Sequence, residues 1–369
     1  MNKTGDKGIF KSNLVRMLVF LCLAALVVFV CSRKFSYADA EHSENIMKDF
    51  YQLEENTVDC IFLGTSASQR AYNVPVGFHD YGVAAYTMAC GTQPFMLTKY
   101  LMIEAQKTQD PKVFVIELRG TTQGKDKIWD VAVRRMIDNM KMSQNKRDAI
   151  KAVTKYAEGG DNSVDTSGWS YYFPLLKYHG RWNPSKQPKY SNNVIYYNGF
   201  AVDKGVVFRT TEVRSLEYSD YEAAIAEETV DALNDLLDYC DSIDAKVLFV
   251  LSPYEASKYG MERLNTSKKI VEERGYECIN FIPIEKKEEL GLDDRTCYYN
   301  REHLNYFGAL KYTDFMSKYL KDNYDVPDRR GDSRYAGYEE LYDKLMENMK
   351  GDYAERYAEM MAAVESVEQ

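Results

Sequence analysis

The sequence predicts an α/β domain with a central, mostly parallel five-stranded sheet in a three-layer α/β/α arrangement, carried behind one apolar N-terminal helix. Short runs rich in β-branched and aromatic residues alternate with longer stretches whose apolar positions recur every three or four residues. The short runs are continuously apolar rather than alternating, as strands covered on both faces require. One long uncharged run stands apart from this pattern, at the N-terminus.

That run comes first in the chain. Met17 to Cys31 is fifteen residues without a charge, and Leu14 and Val15 extend it past a single Arg16. As a helix, residues 14–31 reach roughly 27 Å, close to the roughly 30 Å of a bilayer's hydrocarbon core. Arg16 at one end and Arg33 with Lys34 at the other are placed to snorkel. Lys3, Lys7, Lys11 and Arg16 precede the run, a bias that favours a cytoplasmic tail over 1–13, a signal anchor over 14–31 and the remaining chain outside the cell. The rival reading is a cleaved signal peptide, since Ala38-Asp39-Ala40 fits a small-x-small cleavage pattern.

Residues 32–56 then read as a linker and 57–325 as the α/β domain. Strands are expected at Val58 to Leu63, Ala84 to Met88, Lys112 to Leu118, Lys246 to Leu251 and Tyr276 to Ile282. Helices are expected at Pro94 to Gln106, Tyr221 to Ser242, Lys258 to Arg274 and Phe307 to Asp322. Between them, residues 121–218 read as an insertion, with a helix over Lys127 to Glu158 followed by a Gly, Asn, Pro and Tyr-rich stretch. Its Trp and Tyr side chains suit either ordinary packing or stacking on a sugar ring. Residues 326–369 form a charged, helix-prone segment with Tyr338, Leu341, Leu345 and Met349 at helical spacing, suited to docking on the domain.

Composition excludes several classes. At 369 residues, 45% hydrophobic and with mean hydropathy −0.47, the chain buries a sizeable core and is neither disordered nor a multi-span transporter. Its net charge of −9 is the wrong sign for neutralising phosphates, so no nucleic acid is expected as a partner. Cys60, Cys90, Cys240, Cys278 and Cys297 are widely spaced and lie in no CxxC pair, so they read as small hydrophobes rather than as a disulfide framework or a zinc site.

Chemistry is expected where the first strand ends, in Leu63-Gly64-Thr65-Ser66. In an open parallel sheet, ligands bind beyond the carboxyl ends of the strands, where a Ser at the start of the next helix is exposed beside backbone N–H groups. A simple turn with a helix cap fits the same residues. The second signal is Asn300-Arg301-Glu302-His303-Leu304-Asn305-Tyr306-Phe307-Gly308. Of the four histidines, His303 alone follows the last expected strand and precedes the last sheet-packing helix, so the fold returns it to the edge that holds Ser66. Ser and His together make a nucleophile and its base.

These residues resemble the SGNH or GDSL-like hydrolase superfamily. Gly64-Thr65-Ser66 resembles its first block, with Ser66 as nucleophile, and Ala89-Cys90-Gly91 its second, whose Gly N–H helps form the oxyanion hole. His303-Leu304-Asn305-Tyr306-Phe307-Gly308 is close to the His-Leu-Asn-x-x-Gly pattern of a membrane-anchored branch that includes teichoic-acid D-alanine transfer and exopolysaccharide O-acetylation proteins. The resemblance covers about Asp59 to Lys321, without the insertion. It implies a serine esterase or O-acyltransferase acting on a cell-surface glycan or teichoic-acid-like polymer, with no metal or cofactor, beside a multi-span membrane partner that exports the acyl group.

Two departures accompany it. The family's last block usually carries Asp three residues before the His, and here that residue is Asn300, which can hydrogen-bond the imidazole but carries no charge to offset its protonation. The third-block Gly-x-Asn-Asp is replaced by Glu117-Leu118-Arg119-Gly120, leaving Arg119 or Gln93 as candidates to contact the oxyanion or an anionic polymer, with a surface ion pair as the competing role for Arg119. The alternative function is a catalytically impaired relative that binds polymer or serves as a scaffold in envelope assembly.

Overall fold

The apolar runs become buried strands within two residues of their expected bounds. The computed structural model describes residues 4–34, 45–186, 193–204, 209, 218–349, 358 and 362. Helix α1 (Thr4–Lys34) leads, and its Ser12–Ser32 stretch is long and apolar enough to cross a membrane, a property that anchors and signal sequences share. Helix α2 (Asn45–Phe50) falls inside the expected linker, yet it buries Ile46, Met47 and Phe50 in the core. The domain therefore begins at Asn45, because one apolar helical turn there has a core face to cover; residues 35–44 lie outside the described residues.

The first half of the sheet follows. Strand β1 (Cys60–Gly64) leads into the short α3 (Ser66–Gln69) and then α4 (Val74–Tyr81), whose cap Asn73 accepts the Val76 N–H. Next come β2 (Ala85–Ala89), α5 (Thr98–Ala105), preceded by one 3₁₀ turn, and β3 (Val113–Glu117).

The insertion is more ordered than the sequence implied. The single helix expected over Lys127 to Glu158 is two, α6 (Asp130–Ile137) and α7 (Gln144–Ala157). Ser143 breaks it by accepting the Lys146 N–H and starting a new helix. Short α8 (Trp169–Tyr172) and α9 (Leu175–Tyr178) follow, then a hairpin of β4 (Val194–Tyr197) and β5 (Phe200–Asp203). Asn198 and Gly199 both take positive φ (47° and 81°), as a two-residue turn whose twist matches its strands requires.

The remaining elements are α10 (Glu227–Cys240), β6 (Lys246–Leu251), α11 (Lys258–Glu273), β7 (Cys278–Asn280), α12 (Ile284–Glu289), the bridge of β8 (Tyr298–Asn300) with β9 (His303–Leu304), α13 (Tyr306–Tyr324) and α14 (Ala336–Met349). Helix α10 starts six residues later than expected, since residues 221–226 run extended.

The central sheet is all parallel, in the order β2-β1-β3-β6-β7. Alternate residues feed two cores. Ile61, Leu63, Ile116 and Phe249 face α2, α5, α6, α7, α10 and α11, whereas Phe62, Val115, Leu248 and Val250 face α4, α13 and α14. Each such side chain contributes about 1.5–3 kcal/mol by leaving water. In the described part of the C-terminal segment, Tyr338, Leu345 and Met349 lie in the second core and Arg329 forks onto Asp59 at 2.7 Å through Nε and Nη2.

The hairpin covers the free edge of β2, where the Thr87 N–H donates to the Asn198 carbonyl at 2.9 Å. A Cβ on Gly199 would sit 1.8 Å from the Thr87 oxygen. Gly199→Ala is therefore expected to lift the turn off β2 at a cost of about 2–4 kcal/mol. Urea unfolding gives the cost, and amide exchange at Thr87, accelerated in the variant, shows that the lost contact is this one.

Candidate active site

Ser66 is positioned by strain and a buried carboxylate. Strand β1 ends at Gly64, whose φ of +144° suits glycine alone, and a Cβ there would lie 2.6 Å from the Glu117 Cβ. Glu117, the last residue of β3, is fully buried. Its Oε2 accepts the Thr65 N–H (3.1 Å) and hydroxyl (2.9 Å), and its Oε1 accepts the Arg119 N–H at 2.6 Å. Burial pushes this carboxyl up, and Arg119 and the three donors pull it back. Thr65, so held, caps α3 and sets Ser66 as its first residue.

His303 is delivered by the start of α13. Asn305 caps that helix by accepting the Phe307 and Gly308 N–H groups at 3.0 and 3.1 Å, and its amide donates to the Thr296 carbonyl. Gly308 is required because a Cβ would meet the Cys297 carbonyl oxygen at 2.2 Å. The His-Leu-Asn-x-x-Gly pattern is thus a device for pressing α13 against the strand before it.

Ser66 Oγ and His303 Nε2 lie 2.7 Å apart. On the other side of the ring, Nδ1 is 3.0 Å from Asn300 Oδ1 and 3.1 Å from the Tyr299 hydroxyl. Asn300 Oδ1 also accepts the Glu302 N–H, which orients it as an acceptor toward the ring. With Nδ1–H donating to Asn300, Nε2 is free to accept the Ser66 proton. Glu302 is turned away and pairs with Arg119 at 2.9 Å.

Burial holds the His303 pKa down to about 3 from 6.5, assisted by the fields of Arg70 and Arg119. Arg70 lies over the Tyr299 ring and pairs with Asp203 of the hairpin at 2.7 Å.

A cleft of about 350 Å³ opens over the pair. Gly91 lines it, with Arg135 donating to its carbonyl at 2.7 Å, and Trp129, Tyr196, Tyr299 and Arg70 form its walls. Gln93 and Arg119 do not line it. Gln93 is buried, its side-chain amide without a partner among the described residues, and Arg119, partly exposed, lies over the Tyr254 ring and makes an ion pair with the exposed Glu302, the competing role expected of it. The sequence reading missed Arg70, Arg135, Trp129 and Tyr196, of which the last three lie in the insertion. A wider groove of about 690 Å³ between α4 and α13 contains neither Ser66 nor His303. Among the described residues, no three His, Cys, Asp or Glu side chains are grouped to hold a metal ion.

No protein-family model matches the chain, and no curated protein is significantly similar to it.

The buried ring has a measurable signature. The unfolded chain takes up a proton on His303 near pH 6.5 and the folded one near 3, so acidification through that window favours unfolding, and stability is recovered as pH rises to 6.5. The ring C–H resonances of His303, assigned by comparison with His303→Gln, are expected to show no titration between pH 5 and 8. A midpoint near 6.5 would show that the ring is not held neutral.

Proposed function

We propose that the chain is a membrane-anchored, outward-facing SGNH-like serine esterase or O-acyltransferase acting on a cell-surface glycan or teichoic-acid-like polymer. The observation that carries this reading is the 2.7 Å approach of Ser66 Oγ to His303 Nε2, with Nδ1 held by Asn300 at the carboxyl ends of β1 and β3.

In this mechanism, Ser66 Oγ attacks the acyl carbonyl and its proton passes to His303 Nε2. The N–H groups of Ser66 and Gly91 are the proposed donors to the tetrahedral oxyanion. Collapse breaks the bond to the leaving oxygen, which takes the proton from His303, and leaves an acyl-Ser66 ester. An acceptor hydroxyl then gives its proton to His303 and attacks that ester, and the proton returns to Ser66 Oγ as the acyl group departs. Water as acceptor gives hydrolysis, and a sugar hydroxyl gives transfer. Trp129, exposed at the mouth, suits stacking on a sugar ring, and Arg70 and Arg135 suit an anionic group. By the same resemblance, a multi-span membrane protein supplies the acyl group.

A second reading, a polymer-binding relative with weak or no turnover, is favoured by the neutral Asn300 behind a ring that two arginines also discourage from charging. A Cys-His-Asn arrangement elsewhere works with a neutral third residue, so Asn300 alone does not decide between the two.

Incubation with an activated acyl ester, followed by intact mass spectrometry, is expected to trap one acyl group on Ser66, lost in Ser66→Ala. An unchanged adduct in that variant sinks the catalytic assignment. Asn300→Asp is expected to raise turnover about tenfold or more by stabilising the imidazolium. Saturable polymer binding that is unaltered by Ser66→Ala, with no adduct in either protein, would establish the binding reading instead.

A further inference from the structure

The α8–α9 region leaves large apolar side chains in water. Trp169 is 62% exposed and Trp182 73%, and Phe173 and Leu176 are exposed between them, with the Trp169 and Phe173 rings stacked at 6.1 Å. An apolar patch of this size marks a surface that something covers.

Four observations select the cover. From Trp169 to Lys186 the chain carries Lys177, Arg181 and Lys186 and no Asp or Glu, although the whole protein has a net charge of −9. Helix α9 touches α1, the helix apolar enough to span a bilayer. Only ten residues, 35–44, join α1 to the core-packed α2, a tether that reaches at most about 35 Å and holds the domain close to the plane α1 crosses. Finally, the exposed side chains are mainly aromatic, and Trp in particular favours the headgroup layer, where one part of the ring is apolar and the N–H stays wet.

We propose that the apolar face of α8, α9 and the 3₁₀ turn after them is a membrane-docking surface, lying in the headgroup layer of an anionic bilayer. Trp169, Phe173, Leu176 and Trp182 enter the interface, and Arg181 and Lys186 lie on the side of the lipid phosphates, while Lys177 is held by Asp130. The patch is tied to the cleft: Asp130, next to the wall residue Trp129, accepts from the Tyr171 hydroxyl of α8 at 2.7 Å and pairs with Lys177 of α9 at 2.7 Å. Docking thereby fixes the open side of the Ser66–His303 cleft near the bilayer, within reach of membrane-borne donors or acceptors. The inference rests on α1 lying in a membrane and is independent of whether Ser66 is acylated.

The chain supplies its own probes, since Trp129, Trp169 and Trp182 are its three tryptophans. Full-length Trp129→Phe protein, reconstituted in phosphatidylcholine and phosphatidylglycerol vesicles, retains Trp169 and Trp182 as reporters. Replacing the lipids by analogues brominated high on the acyl chains is expected to quench about half or more of this emission, and more strongly with phosphatidylglycerol than without it. Unchanged emission in brominated vesicles overturns the proposal. Cross-linking into dimers through this patch, with the same lack of quenching, would assign it to a second copy and overturn it equally. The unsubstituted protein, read in the same vesicles, guards against a folding defect in the variant. Loss of quenching alone leaves the acyl-Ser66 experiment untouched, so the two readings fail separately.

Discussion

The buried carboxylate of Glu117 is the constraint on which the candidate site depends. One oxygen holds the Thr65 N–H and hydroxyl, and the other holds the Arg119 N–H, so a single side chain fixes the ends of β1 and β3 together. Thr65 then caps the helix that begins at Ser66, and Arg119 pairs with Glu302 in the turn that carries His303. Ser66 and His303, 237 residues apart in sequence, are positioned from the two oxygens of one group. Burying a carboxyl is costly, and a hydrogen bond to a charged group contributes about 1.5–3 kcal/mol, so each donor around Glu117 is held in place by the penalty for its loss. Gly64 belongs to the same constraint, since its missing Cβ is what lets the two strand ends approach.

The electrostatics around His303 pull against general-base chemistry in one respect and favour it in another. A ring with a pKa near 3 is neutral throughout the physiological range, so it is always in the form that accepts a proton. The same shift makes it a weak base, because an imidazolium there would meet Asn300 and Tyr299 rather than a carboxylate. Arg70 and Arg119 deepen the penalty while raising the potential felt by an anion in or near the cleft. A site built this way suits a substrate that brings negative charge with it, since an anionic group beside Arg70 would offset part of the field that opposes His303 protonation.

Much of the fold was legible because its strands are simple. Central parallel strands are buried on both faces, so each reads as an uninterrupted apolar run, and β6 appears at its expected bounds. The break between α6 and α7 was not legible from periodicity, which continues through it; the cap at Ser143 decides it. Strand β4 and β5 did leave a signal, Asn198-Gly199 between apolar runs, but it was obscured by the Tyr, Gly and Asn content around it. In the site, Ser66 and His303 followed from chain order and the scarcity of histidine. Arg135 and Trp129 did not, since nothing local in sequence says that an insertion folds back over the first strand's end, and Arg70, at the C-cap of the helix that begins at Ser66, carries no motif that marks it. Gln93 and Arg119 were placed by proximity to strand ends, and the chain buries one away from the cleft lining and uses the other to tie two loops.

The insertion is a structural part of the domain as much as an addition to it. Its hairpin covers the edge of β2, which would otherwise present unpaired backbone groups, and α6 and α7 cover one face of the sheet. Helices α6, α8 and α9 are joined by one buried polar cluster. Burial alone would raise the Asp130 carboxyl, but Lys177, Arg134 and Tyr171 hold it below the ordinary range, and Arg134 reaches on to Asp138 and to the Ser170 carbonyl. A displacement of α8 or α9 would break the Tyr171 and Lys177 contacts to Asp130, which would keep its pairing with Arg134 of its own helix. Trp129 immediately precedes Asp130. The wall of the cleft is thus joined to the exposed aromatic patch through the contacts of Asp130 with Tyr171 and Lys177.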